Sequence, residues 1–249
     1  LPSKPLEGRG IVVTRPAAQA QGLAALIERA GGRALVFPAI EIQDPAGPPL
    51  PPLERFDLAI FVSPTAVERA FRLVPDWPPR LRYAAIGRGT ARELGRRGIA
   101  AVLAPERGAD SEALLSAAPM HEVKGQRIAI FRGEGGRELL GETLAARGAQ
   151  VEYLECYRRA LPRADSGPLL AAWARGAIDA VVVSSAQGLQ NLLTLLGDAG
   201  RPQLLATPLF VPHQRVAAQA RALGVREVIV AGPGDDEVSA RLVAYFGSR

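Results

Sequence analysis

The chain has 249 residues, 48% of them apolar and only 5% aromatic, so its cores are expected to be aliphatic layers, as parallel sheets covered by helices require. Thirty basic against twenty-five acidic residues leave a charge of +5 and an isoelectric point near 10.0, which suits an anionic partner: a polycarboxylate, a phosphate compound or nucleic acid. Cys156 is the single cysteine and there are two histidines, which excludes an internal disulfide and argues against a metal centre.

No apolar run approaches the roughly 18 residues of a membrane span, and LPSKPLEGR lacks the apolar core of a signal peptide. These features predict a soluble, cytoplasmic protein with no membrane partner. The basic residues are scattered and no basic, aromatic-interleaved patch is present, so nucleic acid is disfavoured.

IVVT at 11–14 reads as a short strand, after which Pro16 can open a helix carrying Leu23, Leu26, Ile27 and Ala30 on one face until Gly31-Gly32 ends it. ALVF and IEI are extended segments around Pro38, and PAGPPLPPLE at 45–54 is a stiff loop. LAIFV at 58–62 is a buried strand, and Ser63-Pro64 provide the N-cap and first position of the helix TAVERAFRLV. RYAAIG predicts a strand, 90–97 a helix stopped by Gly98, IAAVLA a strand, and DSEALLSAA at 110–118 a capped helix. Beyond it, RIAIF is a strand, 137–147 a helix, QVEYLECY extended and 169–175 a helix. DAVVVS, LFV and EVIVA are then strands alternating with helices at 189–196, 216–223 and 236–246.

That order contains a repeat. Gly8 matches Gly125, Arg15 matches Arg132 and Gly31 matches Gly148, each at an offset of 117 (125 − 8, 132 − 15, 148 − 31). FVSPTAV at 61–67 is echoed by VVSSAQGL at 182–189, and 84–105 by 209–231. So long a period means a duplicated domain of about 110 to 130 residues rather than a solenoid. The fold class predicted is α/β, with two similar domains, each a parallel sheet flanked by helices. In such sheets ligands lie outside the carboxyl ends of the strands, which singles out Arg15, Ser63, Arg88 to Thr90, Arg132, Ser184, Ser185 and His213 to Arg215.

RGEGGR at 132–137 has glycines, Gly133 among them, that could turn backbone N–H groups towards an anion. It lacks the third glycine of G-x-G-x-x-G and has no Walker lysine, so a carboxylate site with Arg132 and Arg137 is favoured over a nucleotide site, with a plain glycine-eased turn as the bland alternative. The hydroxyls of Ser63, Thr90, Ser184 and Ser185 are N-caps, ligands or both. No G-x-S-x-G elbow exists, which removes a serine hydrolase. His213 beside Arg215 is a better site candidate than His121, which falls in a surface loop. Tyr157 stands where the repeat has Ile40, so the symmetry breaks there, and its phenol beside Arg158 and Arg159 can donate a proton near an anion.

V-x-x-T-R-P, F-x-S-P-x-A-V, I-G-x-x-T-A-x-x-L-x-x-x-G, the D-S-E-A-L-L helix, R-G-x-x-G-R-x-x-L-x-x-x-L-x-x-x-G-A and C-Y-R occur in that order over nearly the whole chain. Together they resemble the uroporphyrinogen-III synthase family. The resemblance implies one domain from residues 1–38 with 159–249, an inserted one from 39–158, and a two-stranded linker near 36–42 and 153–159 that lines a cleft and permits closure.

It also implies a cofactor-free cyclisation of hydroxymethylbilane to uroporphyrinogen III, with ring D inverted through a spiro intermediate and water lost. The enzyme is expected as a monomer supplied by hydroxymethylbilane synthase. Tyr157 matches the motif tyrosine and would assist the leaving hydroxyl. Arg15, Arg132, Arg137 and Arg158, with Ser63, Thr90, Ser184 and Ser185, would hold carboxylates. The last repeat departs from the motif, V-P-H-Q-R-V-A replacing I-G-x-x-T-A, and His213 and Arg215 become cationic contacts there. A two-lobed, non-catalytic module for an anionic metabolite is the alternative from another class, and a two-domain glycosyltransferase without a nucleotide-sugar signature is the weaker enzyme alternative.

Overall fold

The computed structural model describes residues 4–108 and 110–247. Its first elements are β1 (Gly10–Val13), α1 (Ala17–Arg29), β2 (Arg33–Val36), β3 (Glu41–Gln43), β4 (Leu58–Phe61) and α2 (Pro64–Leu73). They are followed by β5 (Arg82–Ala85), α3 (Arg88–Arg96), β6 (Val102–Leu103), α4 (Ser111–Leu115), β7 (Arg127–Gly133) and α5 (Leu139–Ala146). Then come β8 (Gln150–Ala160), α6 (Gly167–Ala174), β9 (Ala180–Val182), α7 (Ala186–Ala206), β10 (Leu209–Val211), α8 (Gln214–Ala222), β11 (Val228–Val230) and α9 (Asp235–Gly247).

Two compact units result. One runs to Glu41 and resumes at Ala160; the other is Ile42–Arg159. These junctions lie at 41/42 and 159/160, against the 38/39 and 158/159 anticipated from sequence, because β3 and β8 are continuous extended segments whose contacts, not their composition, decide where each unit stops.

The first unit has a five-stranded sheet in the order β11-β10-β9-β1-β2, with every pairing parallel. In the second the order is β3-β8-β7-β4-β5-β6, and the pairings from β8 to β6 are parallel. Reading β7 for β1, β8 for β2 and β4, β5, β6 for β9, β10, β11 makes the two orders the same apart from the extra edge strand β3. This is the pairing of the sequence repeat, with the halves of the second unit taken in the opposite chain order. Each sheet is doubly wound, with its topological switch point between β1 and β9 in one unit and between β7 and β4 in the other.

Burial on both faces explains the nearly continuous apolar strands. Leu58 and Ile60 pack into one layer and Ala59 and Phe61 into the opposite one, matched across β7 by Ile128 and Ile130 against Ala129 and Phe131. In the first unit Val12 and Val181 face one layer, and Ile11, Val13, Ala180 and Val182 the other. An aromatic cluster occupies one face of the second sheet, where Phe61 and Phe131 stack at 4.7 Å and Trp77 lies 5.9 and 5.5 Å from them.

Several elements depart from their sequence reading. IAAVLA yields only the two-residue edge strand β6, which pairs with β5 on one side and has no strand beyond it. α7 does break after Leu196 as anticipated, Gly197 adopting φ 57°, ψ −162°, but a second helical stretch not read from the sequence continues to Ala206. α5 begins at Leu139, two residues later than anticipated, because Gly135 and Gly136 hold positive φ (70° and 118°) and keep the preceding loop open. No described helix is long and apolar enough to cross a membrane.

Candidate active site

At the switch point of the second sheet, where β7 and β4 end, lies a cavity of about 200 Å³. It gathers Ser63, Arg132, Gly133, Arg137 and Tyr157 from the candidates named in the sequence, and adds Ser111, Tyr153 and Arg159. Ser63 follows β4 and caps α2, its Oγ accepting the Ala66 N–H at 3.0 Å. Arg132 and Gly133 close β7.

Tyr157 reaches the cavity through an irregularity in β8. Along β7 and β8 the register is one to one until Arg132 faces Glu155; Gly133 then faces Tyr157, so one residue of β8 is skipped. Cys156 and Tyr157, consecutive in a strand, are both buried as a result, at 0% and 1% exposure. The Tyr157 hydroxyl lies 3.3 Å from Ser63 Oγ and accepts an N–H from the Arg159 guanidinium at 3.1 Å. Burial pushes the Cys156 thiol up to about 12, so it stays protonated and unreactive at neutral pH.

Gly133 is what makes room for the ring. A Cβ there would stand 2.7 Å from both Cε2 and Cζ of Tyr157 and 3.1 Å from its hydroxyl. Gly133→Ala is therefore expected to displace the phenol and lower turnover by about tenfold or more, given what small misplacements of a reacting group cost. The check is turnover compared with thermal stability: a normal rate would show that the ring can give way without consequence.

Tyr153 lines the same cavity but is committed elsewhere. Its hydroxyl accepts the Gly141 N–H and donates to the Glu138 carbonyl, both at 2.9 Å, which anchors the start of α5. Burial raises its pKa, with Glu138 and Glu142 adding to the rise while the Gly141 N–H and Arg132 oppose it. Of the two phenols, only that of Tyr157 has its hydroxyl among side-chain groups of the cavity.

The arginines divide in the same way. Arg132 lies 3.7 Å above the Tyr153 ring and pairs with Glu138 at 3.2 Å and Glu155 at 3.4 Å. Arg137 pairs with Glu112 at 3.0 Å. Arg15, the repeat counterpart of Arg132, is held by Asp235 and by the Pro233 carbonyl in the first unit. These three candidates already have carboxylate partners from their own chain. Arg159 has none among the described residues; its recorded contacts are the Tyr157 hydroxyl and ring.

The remaining candidates lie outside the cavity lining. Thr90 does not end a strand: it is buried in the first turn of α3, whose N-cap is Gly87. Arg158 is exposed on β8. In the first unit Ser185 caps α7, its Oγ accepting the Gly188 N–H at 3.0 Å, and Ser184 beside it is exposed. His213 is the exposed N-cap residue of α8 without a side-chain capping bond, and Arg215 is exposed one residue into that helix. Arg159 was missed as a site residue, although strand alternation puts residues i and i+2 on one face and so aligns it, rather than Arg158, with Tyr157.

Two doubly wound units, one carrying a buried phenol, a capping serine and arginines at its switch point, define an α/β enzyme of duplicated architecture for an anionic small molecule. The chain belongs to the uroporphyrinogen-III synthase family: residues 21–236 match the family described as uroporphyrinogen-III synthase HemD. It is 36% identical to the uroporphyrinogen-III synthase of Salmonella typhimurium and 35% identical to that of Escherichia coli, in each case over 93% of this chain and 98% of the relative. The fold is shared with the uroporphyrinogen-III synthetase structure from Helicobacter pylori, at a TM-score of 0.63 and 12% identity, covering 95% of this chain and 99% of that one. Membership places the chain among enzymes and leaves the alternative of a non-catalytic binding module without support.

Proposed function

We propose that the chain is a uroporphyrinogen-III synthase that closes hydroxymethylbilane to uroporphyrinogen III with inversion of ring D. The observation that carries the mechanism is the Tyr157 hydroxyl, fixed between Ser63 and Arg159 at the sheet's switch point. The hydroxyl of the ring-A hydroxymethyl group takes a proton from this hydroxyl pair and leaves as water, and the methylene carbon stays on the ring as an azafulvene cation. The substituted α-carbon of ring D attacks it, and the spiro intermediate fragments and recloses with the ring reversed.

A cavity of about 200 Å³ holds one pyrrole with its side chains rather than a tetrapyrrole. Its work is to orient the reacting ring, and orientation alone can lower a barrier by roughly 7 to 11 kcal/mol. Arg132 and Arg137 take substrate carboxylates by exchange with Glu138, Glu155 and Glu112. Arg158, exposed on β8, is a contact for a further carboxylate. The enzyme acts in the cytoplasm as a monomer, without a cofactor, on bilane released by hydroxymethylbilane synthase.

The test is to generate hydroxymethylbilane with and without the purified protein, oxidise the products and separate the uroporphyrin isomers. Isomer III is expected. Isomer I alone, formed at the uncatalysed rate by folded protein, would overturn the reading.

A further inference from the structure

Three arginines line the cavity, and the chain's own carboxylates hold two of them. Arg132 is held by Glu138 and Glu155, and Arg137 by Glu112. Arg159 alone directs its guanidinium at a hydroxyl, donating to Tyr157 at 3.1 Å with its guanidinium carbon 5.5 Å from the ring centroid. A guanidinium has donors and no acceptor. The direction of that hydrogen bond is therefore fixed, and the Tyr157 proton cannot point at Arg159.

The rest of the network follows from counting protons. Ser63 Oγ already accepts the Ala66 N–H and lies 3.3 Å from the Tyr157 oxygen. Two hydroxyl protons are shared between these oxygens. One occupies the contact between them, and the other is directed into the cavity, from Tyr157 or from Ser63. When that proton leaves, negative charge collects on the pair, and Arg159 is the cation in contact with it.

Building on the synthase reading, we propose that Arg159 is a positioning residue for the known reaction: it orients the Tyr157–Ser63 pair and stabilises the phenolate formed when the pair protonates the departing hydroxyl. The C–O bond of the hydroxymethyl group breaks, and its electron pair leaves with the oxygen. That oxygen takes the proton from Tyr157, directly or by way of Ser63, and departs as water. The pyrrole nitrogen lone pair forms the new double bond to the methylene carbon, and the phenolate remains opposite the guanidinium. The proton lost from the unsubstituted α-carbon of ring D at closure returns to the phenolate. Donors aimed at charge that develops in the transition state act through turnover rather than through affinity.

The experiment uses Arg159→Gln and Arg159→Lys, each alone and combined with Tyr157→Phe, and measures kcat and KM for isomer III with circular dichroism as the folding control. Arg159 is exposed, so the variants are expected to fold. Arg159→Gln should lower kcat by about 10- to 100-fold, below the roughly 10²- to 10³-fold seen for a fully enclosed oxyanion donor, with KM changed by less than about threefold. Arg159→Lys should recover most of the rate. On the Tyr157→Phe background Arg159→Gln should cost nothing further, since the oxygen it serves is gone.

An equal loss on both backgrounds would overturn the proposal, because Arg159 would then act independently of Tyr157. So would an effect confined to KM, which would make it a grip for a substrate carboxylate. Native protein that forms no isomer III would sink the synthase reading itself, an outcome the unsubstituted enzyme reveals before any variant is made.

Discussion

Tyr157→Phe is expected to lower turnover about 10²- to 10⁴-fold, the range of a general acid, while leaving KM and the fold nearly unchanged. The ring is 1% exposed and packs against Gly133, and phenylalanine keeps that packing. Only the hydroxyl is lost, and neither partner is stranded: Ser63 keeps the Ala66 N–H, and Arg159 is exposed to water. The stability cost should therefore be about 1 kcal/mol or less. Such a split between rate and binding identifies a group that acts in the transition state. Steady-state kinetics with isomer analysis, beside a thermal melt, checks it. Unchanged turnover would remove Tyr157 from the chemistry, and a rise in KM alone would make it a binding residue.

The duplication was legible because strand ends carry it. Arg15 lies just past the end of β1 and Arg132 at the end of β7, and the topologies built around those strands coincide. The roles of the two arginines were harder to read, since what neutralises them is not wholly local. Asp235 reaches Arg15 from 220 residues away, and Arg132, besides the nearby Glu138, is met by Glu155 from the neighbouring strand β8. Periodicity cannot report such partners.

The irregularity in β8 was hidden for another reason. The pattern L-E-C-Y suggests simple alternation, yet Leu154, Cys156 and Tyr157 are all buried, since one residue of β8 is passed over opposite the Arg132–Gly133 bond. Gly133 carried a signal that was read differently: as part of RGEGGR it suggested backbone N–H groups turned to an anion, whereas its closest neighbour is the Tyr157 ring. Thr90 looked like a cap from its motif position, but Gly87 begins the helix one turn earlier.

The largest effect on stability is expected at Gly10, where the same repeat shows why a glycine is required. In both units an aspartate ties the start of the equivalent strand, β1 in one and β7 in the other. Asp179 accepts the Gly10 N–H at 2.8 Å and donates its own N–H to the Gly10 carbonyl at 2.8 Å; Asp57 does the same for Arg127, at 2.7 and 2.8 Å. Arg127 is exposed, so this arrangement tolerates a large side chain. Gly10 differs because a Cβ there would stand 1.9 Å from the Ala177 carbonyl oxygen and 3.0 Å from its carbon.

That obstacle is backbone rather than a side chain able to swing aside. Its carbonyl accepts a hydrogen bond from Arg33, and its N–H donates to Ala172. Yielding would pull at the Asp179 pair and the Arg9–Asp179 ion pair together. Gly10→Ala should therefore cost about 3 kcal/mol, the upper part of the range for overpacking. With a shift of about 2–4 °C per kcal/mol for a chain of this size, the melting temperature should fall by about 6–12 °C. Arg127→Ala, at the equivalent point of the other unit, should change it by about 0.5 kcal/mol or less. Equal, small shifts for both would mean that the Ala177 turn moves freely and that the glycine marks no constraint.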